Sequence, residues 1–290
     1  MKSRRQFIRQ GSLAATALLA IKPFEGIAQY NRFLNSPFSA GNHLTILHTS
    51  HINGQLLPVA DSSAYAGLGG FKQTAKLIDA IKSVSTNTLL LDNGNFISPN
   101  QESGSFESMV ALIKNAGYDL MIAGNNEKLA IETAAEQKGQ LSKLPNLDQS
   151  TQPYQVLQKG NIRIGIIAPA DSIATINRFA SRLHHLENCQ LIIALSTLGF
   201  ENNQSNDQIL AAQSEYIDII IGNDANRFMK TPVVAQNKNK KEVVINHIGK
   251  SGIVLGRIDI AFDEKGNKKE LVFDNLMIGT AKNRWKKITA

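Results

Sequence analysis

The chain has 290 residues, 42% of them hydrophobic, and carries 31 Lys and Arg against 24 Asp and Glu, a net charge of +7. That length can bury a large core as one big domain or two small ones, and the apolar content fits a soluble globular protein. Five of the basic residues and one acidic residue lie within residues 1–28, so the remainder is only +3. This is too mild a surplus to argue for a nucleic-acid partner, and the lysines at 238–241 and 282–287 read as solvated surface. The single Cys189 excludes an internal disulfide; at the head of the apolar run Leu191–Leu195 it reads as a packed structural thiol.

Ser3-Arg4-Arg5-Gln6-Phe7-Ile8-Arg9, then the weakly apolar run Gly11–Ile21 and the small residues Gly26-Ile27-Ala28, resemble a twin-arginine export signal. The expectation is a signal over residues 1–28, a linker over 29–43, a domain over 44–290, and a periplasmic location. The apolar run is about half the length a spanning helix needs, so no stable membrane anchor is expected.

Leu44–His48 is an apolar run ending in a polar turn that offers His48, Thr49, Ser50, His51 and Asn53 before Gly54. It reads as a buried strand feeding a site-forming loop. Helical spacing follows over Gly69–Ser83 and Ser105–Ala116, with the strand Thr88–Asp92 between them running into Asn93-Gly94-Asn95. The same strand-then-polar-loop design recurs at 118–127, 162–171, 191–199 and 217–226. Residues 133–153 read as a helix and then a surface connection. After Asn226 the character turns to closing strands at 233–235, 243–247 and 253–260, and Asp263–Asn267 reads as a hairpin turn. Alternating strands and helices argue for an α/β fold, and ligands of open α/β sheets gather outside the carboxyl ends of strands. The strand-end loops should therefore meet at one cleft.

The ordered segments resemble the nucleotidase branch of the calcineurin-like metallophosphoesterases. They are Leu44–Gly54, Gly69-Gly70-Phe71, Thr88–Asn95, Gly124-Asn125-Asn126-Glu127, Ala194–Gly199, Ile219–Asn226 and Lys250–Asp263. The resemblance implies a four-layer α-β-β-α sandwich. Family members hold two divalent metals with a first-loop Asp and His, a bridging Asp, an Asn and three further His, and one more His protonates the leaving group. Carried over position by position, these fall on His51, Asn53, Asn95, Asn125, Thr197, Asp224 and Asn226, with Asn126 at the proton donor; only Asn125 keeps its identity.

Two dications roughly 3.5 to 4 Å apart repel by on the order of 20 kcal/mol at an effective dielectric of about 20. A bridging carboxylate offsets this, whereas the Asn95 amide is neutral and Asn126 has no proton to shuttle near neutrality. No cofactor is expected. The alternative is a phosphoesterase with one divalent ion on His51, Asn125 and Asp224. The resulting expectation is an exported, non-catalytic binding or docking protein. Its partner would be an unidentified ligand or protein, such as a separate chain supplying the nucleotidase C-terminal domain. Elsewhere, His43 and His48 read as surface or packed side chains, His184 and His185 as a solvated pair pointing apart, and His247 as structural.

Overall fold

The computed structural model describes residues 42–60, 63–98, 103–133, 135–147, 151–170, 172–201, 204–279 and 288. The expected export signal, nearly all of the expected linker and the lysines at 282–287 lie outside the described residues.

In chain order the first half runs β1 (His43–Thr49), α1 (Phe71–Lys82), β2 (Thr88–Asp92), α2 (Ser103–Ala116), β3 (Leu120–Ile122), α3 (Asn125–Thr133), α4 (Ala135–Leu141) and β4 (Asn146–Leu147). The second half runs β5 (Tyr154–Lys159), β6 (Ile162–Ile167), α5 (Ile173–His185), β7 (Leu191–Ser196), α6 (Asp207–Gln213), β8 (Ile219–Gly222), β9 (Val233–Gln236), β10 (Glu242–Asn246), β11 (Val254–Phe262), β12 (Lys268–Phe273) and β13 (Leu276–Met277). One sheet has the order β12-β11-β1-β2-β3-β4, with β13 beside β11; the other has the order β5-β6-β7-β8-β10-β9. Strands β1 to β4 are mutually parallel, as are β6, β7, β8 and β10, while β5, β9, β11, β12 and β13 pair antiparallel.

The two-residue period of the strands builds the layers. Leu44 and Ile46, Leu89 and Leu91, Leu191, Ile193 and Leu195, and Ile219 and Ile221 share one buried core between the sheets. The alternate residues Leu47 and Leu90 pack outward on α1 and α2. On the other side Ile192, Ala194 and Ile220 pack on α5 and α6. The result is the expected helix-sheet-sheet-helix stack.

The start of α1 shows why its glycines are needed. Gly70 adopts φ +87°, and a Cβ there would lie 2.5 Å from the backbone of Leu57, so the loop can cross the helix N-terminus only over a glycine. Helix α5 is opened by Ser172, whose side chain accepts from the Thr175 N–H.

Three local readings change. Residues 133–153 contain the edge strand β4, and β5 follows as the antiparallel partner of β6; two residues give no period, and the alternation of β5 runs directly into the hairpin at Gly160. Asn125 and Asn126 belong to the first turn of α3 rather than to a loop. His184 and His185 do not point apart. Both meet Tyr216, His184 by stacking at 4.4 Å and His185 through Nε2 at 3.0 Å from the phenol oxygen.

Candidate functional site

The carboxyl ends of the parallel strands are drawn together by one amide. Buried Asn93, just past β2, donates from Nδ2 to the carbonyls of Ser196 at the end of β7 and Ile221 in β8, at 3.0 and 2.8 Å. Asn223 in turn donates to the Asn93 carbonyl. These bonds cross from one sheet to the other, so the loops after β2, β7 and β8 are held as neighbours.

The first loop lies along the second through the backbone. The N–H groups of His51, Asn53 and Gly54 donate to the carbonyls of Gly94, Asn95 and Phe96, each at 2.9 Å. His51, Asn53 and Asn95 all take positive φ, of 48°, 53° and 56°, a region where His and Asn are enriched because their short polar side chains bond locally. The third loop is fastened by Glu127. Its buried carboxylate accepts from the N–H groups of Asn95 (3.0 Å), Ile97 (2.8 Å) and Gly124 (2.9 Å). Burial pushes the Glu127 carboxyl above its ordinary value, and these backbone bonds push it back.

On this frame the side chains close on one another. Asn95 Oδ1 accepts from the Asn126 N–H at 3.2 Å, which turns its amide nitrogen to His51 Nε2 at 3.0 Å. Asn126 Nδ2 donates to the Ile97 carbonyl at 2.8 Å and to Asn53 Oδ1 at 3.2 Å. The His51 ring is held below its ordinary pKa chiefly by burial, with Asp224 raising it and Lys250 lowering it further. A neutral ring accepting at Nε2 carries its proton on Nδ1, which is itself buried.

Across the cleft, Asp224 Oδ1 accepts the Asn226 N–H at 3.0 Å, and Lys250 Nζ reaches Asn226 Oδ1 at 3.4 Å. The structure thus brings His51, Asn53, Asn95 and Asn126 into one bonded cluster and sets Asp224 within electrostatic reach of it. Asn125, Thr197 and Asn226 are exposed, and Asn125 and Thr197 make no side-chain hydrogen bond to the cluster.

A second polar set lies fully buried beneath the loops. Ser196 Oγ donates to Asp207 Oδ1, and His247 Nε2 lies 2.8 Å from Asp207 Oδ2. His48 Nε2 meets the Asn246 amide at 2.8 Å, and Asn246 pairs reciprocally with Asn275. Burial drives the His48 pKa down to about 3. This is not a nucleophilic triad, because the Ser196 hydroxyl gives its proton to the carboxylate rather than to the imidazole, and neither residue is exposed. Glu127 and Lys250 lay inside quoted segments but were given no role from the sequence, and Asn93 read there only as part of the polar loop after β2.

The donor set does not fit a dinuclear centre. The residue at the bridging position faces His51 with an N–H rather than an oxygen, and the oxygens of Asn53 and Asn95 are already accepting. Among the described residues no three His, Cys, Asp or Glu side chains gather as metal ligands.

No protein-family model matches the chain. It is 25% identical to human 5'-nucleotidase, over 80% of this chain and 48% of that protein. Its fold superposes on a 5'-nucleotidase precursor from Thermus thermophilus with a TM-score of 0.64 at 21% identity, covering 82% of this chain and 55% of the other. A calcineurin-like phosphoesterase from Bacillus subtilis superposes with a TM-score of 0.63, also at 21% identity, over 83% of this chain and 93% of that one. The chain has the calcineurin-like phosphoesterase fold, and its sequence is similar to 5'-nucleotidases. It spans about half the length of the curated relatives it matches. Within this fold, the cluster around Asn95 occupies the strand ends at which the sequence placed the site. Among the described residues no helix is long and apolar enough to cross a membrane.

Proposed function

We propose that this chain is an exported calcineurin-like protein that does not hydrolyse phosphate esters and keeps its strand-end cleft as a binding or partner-docking surface. The observation that carries the reading is the bond from the Asn95 amide to His51 Nε2. It occupies the accepting ring nitrogen of His51 and supplies no negative charge where two dications would need one. Asn126 cannot act as a proton donor to a leaving group, since its amide has no useful pKa near neutrality.

The reading in which one ion sits on His51, Asn125 and Asp224 draws support from the electrostatic coupling of Asp224 to His51. It requires His51 to exchange Asn95 for the ion. Metal content per purified chain separates the two, with no stoichiometric metal expected. Hydrolysis of nucleoside monophosphates and of p-nitrophenyl phosphate with added Mn²⁺, Zn²⁺ or Mg²⁺ is expected to stay at background. Turnover of roughly 1 to 10³ s⁻¹, abolished by Asp224→Ala or His51→Ala, overturns the proposal. Export is tested separately: Arg4→Lys with Arg5→Lys should leave the precursor in the cytoplasm.

A further inference from the structure

A cleft formed by the described residues lies away from the strand-end loops. It encloses about 870 Å³ at the opposite end of the second sheet, where β7, β8 and β10 begin, and the hairpin joining β11 and β12 forms one wall. That volume is in the range of small-molecule sites.

Its other walls are built rigidly from polar bonds. In the turn between β9 and β10, Asn237 Oδ1 accepts the N–H groups of Asn239 and Lys241 at 2.9 and 3.0 Å. The Asn237 and Asn239 amides both donate to the Glu215 carbonyl at 3.0 and 3.2 Å. Lys240 is held there at φ 59°. The β11–β12 turn is fixed by Asp263, whose Oδ1 accepts from the N–H groups of Lys265 and Asn267 at 2.9 Å. Lysines 240, 241 and 265 are therefore carried into the cleft on two fixed turns.

The charges in the cleft are unequal. Lys268 is paired with Asp218, and Lys238 lies 3.9 Å from Glu215. Lys240, Lys241 and Lys265 have no ion-pair partner among the described residues. Facing them is Glu242, whose carboxyl burial raises above its ordinary value. Burial lowers the His184 pKa, and His185, Lys241 and Lys268 lower it further, so several positive groups act on one ring. That ring is exposed and stacks on Tyr216 at 4.4 Å with an 18° tilt, and His185 holds the Tyr216 hydroxyl.

We propose that this cleft is a second binding site, for a small ligand that joins a flat ring to an anionic group. The His184–Tyr216 stack takes the ring, and Lys240, Lys241 and Lys265 take the anion. A stack without cations would suit a neutral aromatic, and cations without a stack would suit any anion. The two together select the compound that carries both.

Phenyl phosphate is the probe, titrated into the full-length protein by calorimetry and by amide chemical-shift mapping. Saturable one-to-one binding is expected, with shifts confined to residues 184–192, 215–218, 236–242 and 265–268. Inorganic phosphate should bind at least about fivefold more weakly, since a stacked ring contributes roughly 1–3 kcal/mol, and phenol at least about tenfold more weakly, since it lacks the charge-assisted bonds to the lysines. Lys241→Ala with Lys265→Ala should weaken binding about tenfold or more. Lys240→Asn, which tolerates the positive φ, should also weaken it. Lys114→Ala, the same loss of charge as Lys240→Asn but on α2, should leave it unchanged. All three replaced cleft lysines are exposed, so these variants should fold. Tyr216→Leu removes the ring and its hydroxyl's contact with His185 while leaving the three lysines in place, and should abolish the preference for phenyl phosphate over phosphate. The site is overturned if phenyl phosphate does not saturate, if the lysine variants bind like the parent, or if Lys114→Ala weakens binding equally.

Discussion

Asn95→Asp tests the reading of the strand-end cluster most directly. The two side chains have the same shape, and both tolerate the φ of 56° at this position, so backbone strain is held constant. Oδ1 can still accept from the Asn126 N–H. The other arm, however, turns from an N–H donor into an oxygen facing His51 Nε2, which accepts in the neutral tautomer that the Asn95 amide holds. The substitution loses one hydrogen bond, worth about 0.5–1.5 kcal/mol net, and sets two acceptors against each other in a partly buried site, for a total of about 1–3 kcal/mol. At roughly 2–4 °C per kcal/mol for a domain approaching this size, the melting temperature at pH 8 should fall by about 2 to 12 °C. Protonated His51 can donate to the new carboxylate, which raises the folded-state pKa of His51 relative to the parent protein. In the parent the depressed His51 pKa means a contribution present above the unfolded value of about 6.5 and lost as pH falls, and a variant with a higher folded pKa loses less of it. The deficit against the parent should therefore shrink between pH 8 and pH 5.5. Thermal melts at half-unit pH steps, with and without EDTA, measure this. Equal melting temperatures at pH 8, or a deficit that does not change with pH, would show that the amide-to-imidazole bond is absent.

Three other substitutions probe the frame. Glu127→Ala strips the acceptor from three backbone N–H groups and should cost about 3–5 kcal/mol, read as a lower denaturation midpoint and as faster amide exchange at Asn95, Ile97 and Gly124. His48, with its pKa depressed to about 3, contributes stability that is present above pH 6.5 and lost as pH falls toward 3. His48→Gln should flatten that acid limb, and an unchanged limb counts against the buried network. Gly256→Ala would place a Cβ 2.0 Å from His48 Nε2 inside a full core, so a loss of at least about 1–3 kcal/mol or failure to fold is expected; a melting temperature within 1 °C of the parent, well below the roughly 2–4 °C expected per kcal/mol, contradicts the packing.

The layers were legible because the strands state their own faces. Leu44, Ile46, Leu89, Leu91, Leu191 and Ile193 alternate with residues that meet helices, and turn residues mark the strand ends. β4 was not, since two residues show no period and its place is set by pairing with β3 and by Leu147 in the core. The convergence of the site positions was legible for His51, Asn53, Asn95 and Asn126, which sit on strand-end loops or at a helix start. What each amide bonds was not. A sequence shows that Asn95 lacks a charge, but only the Asn126 N–H on its oxygen fixes which way its nitrogen points. Lys250 appears in the sequence only as the first residue of a closing segment, yet in the fold it lowers the His51 pKa. His184 and His185 are adjacent in sequence and were expected to diverge. Tyr216, which is 31 residues beyond His185, gathers both.

In a dinuclear member of this fold the ions also brace the loops, because ligands from different strand ends share them. Replacing those ligands singly would leave the loops unbraced. Here the braces are of another kind, namely the Asn93 amide across β7 and β8, the Glu127 carboxylate on three backbone N–H groups, and the Asn95–His51 and Asn126–Asn53 bonds. Each is a neutral or charge-assisted hydrogen bond of about 0.5–3 kcal/mol, and together they join the ends of β1, β2, β3, β7 and β8. On the proposed reading, these bonds take over the bracing that shared metal ligands would otherwise supply. The site also resists reversal by a single substitution, since Asn95→Asp alone restores one carboxylate and removes one brace. Groups that act as a unit recover together, so activity should return only when the carboxylates and imidazoles at residues 51, 53, 95, 126, 197, 224 and 226 are restored as a set.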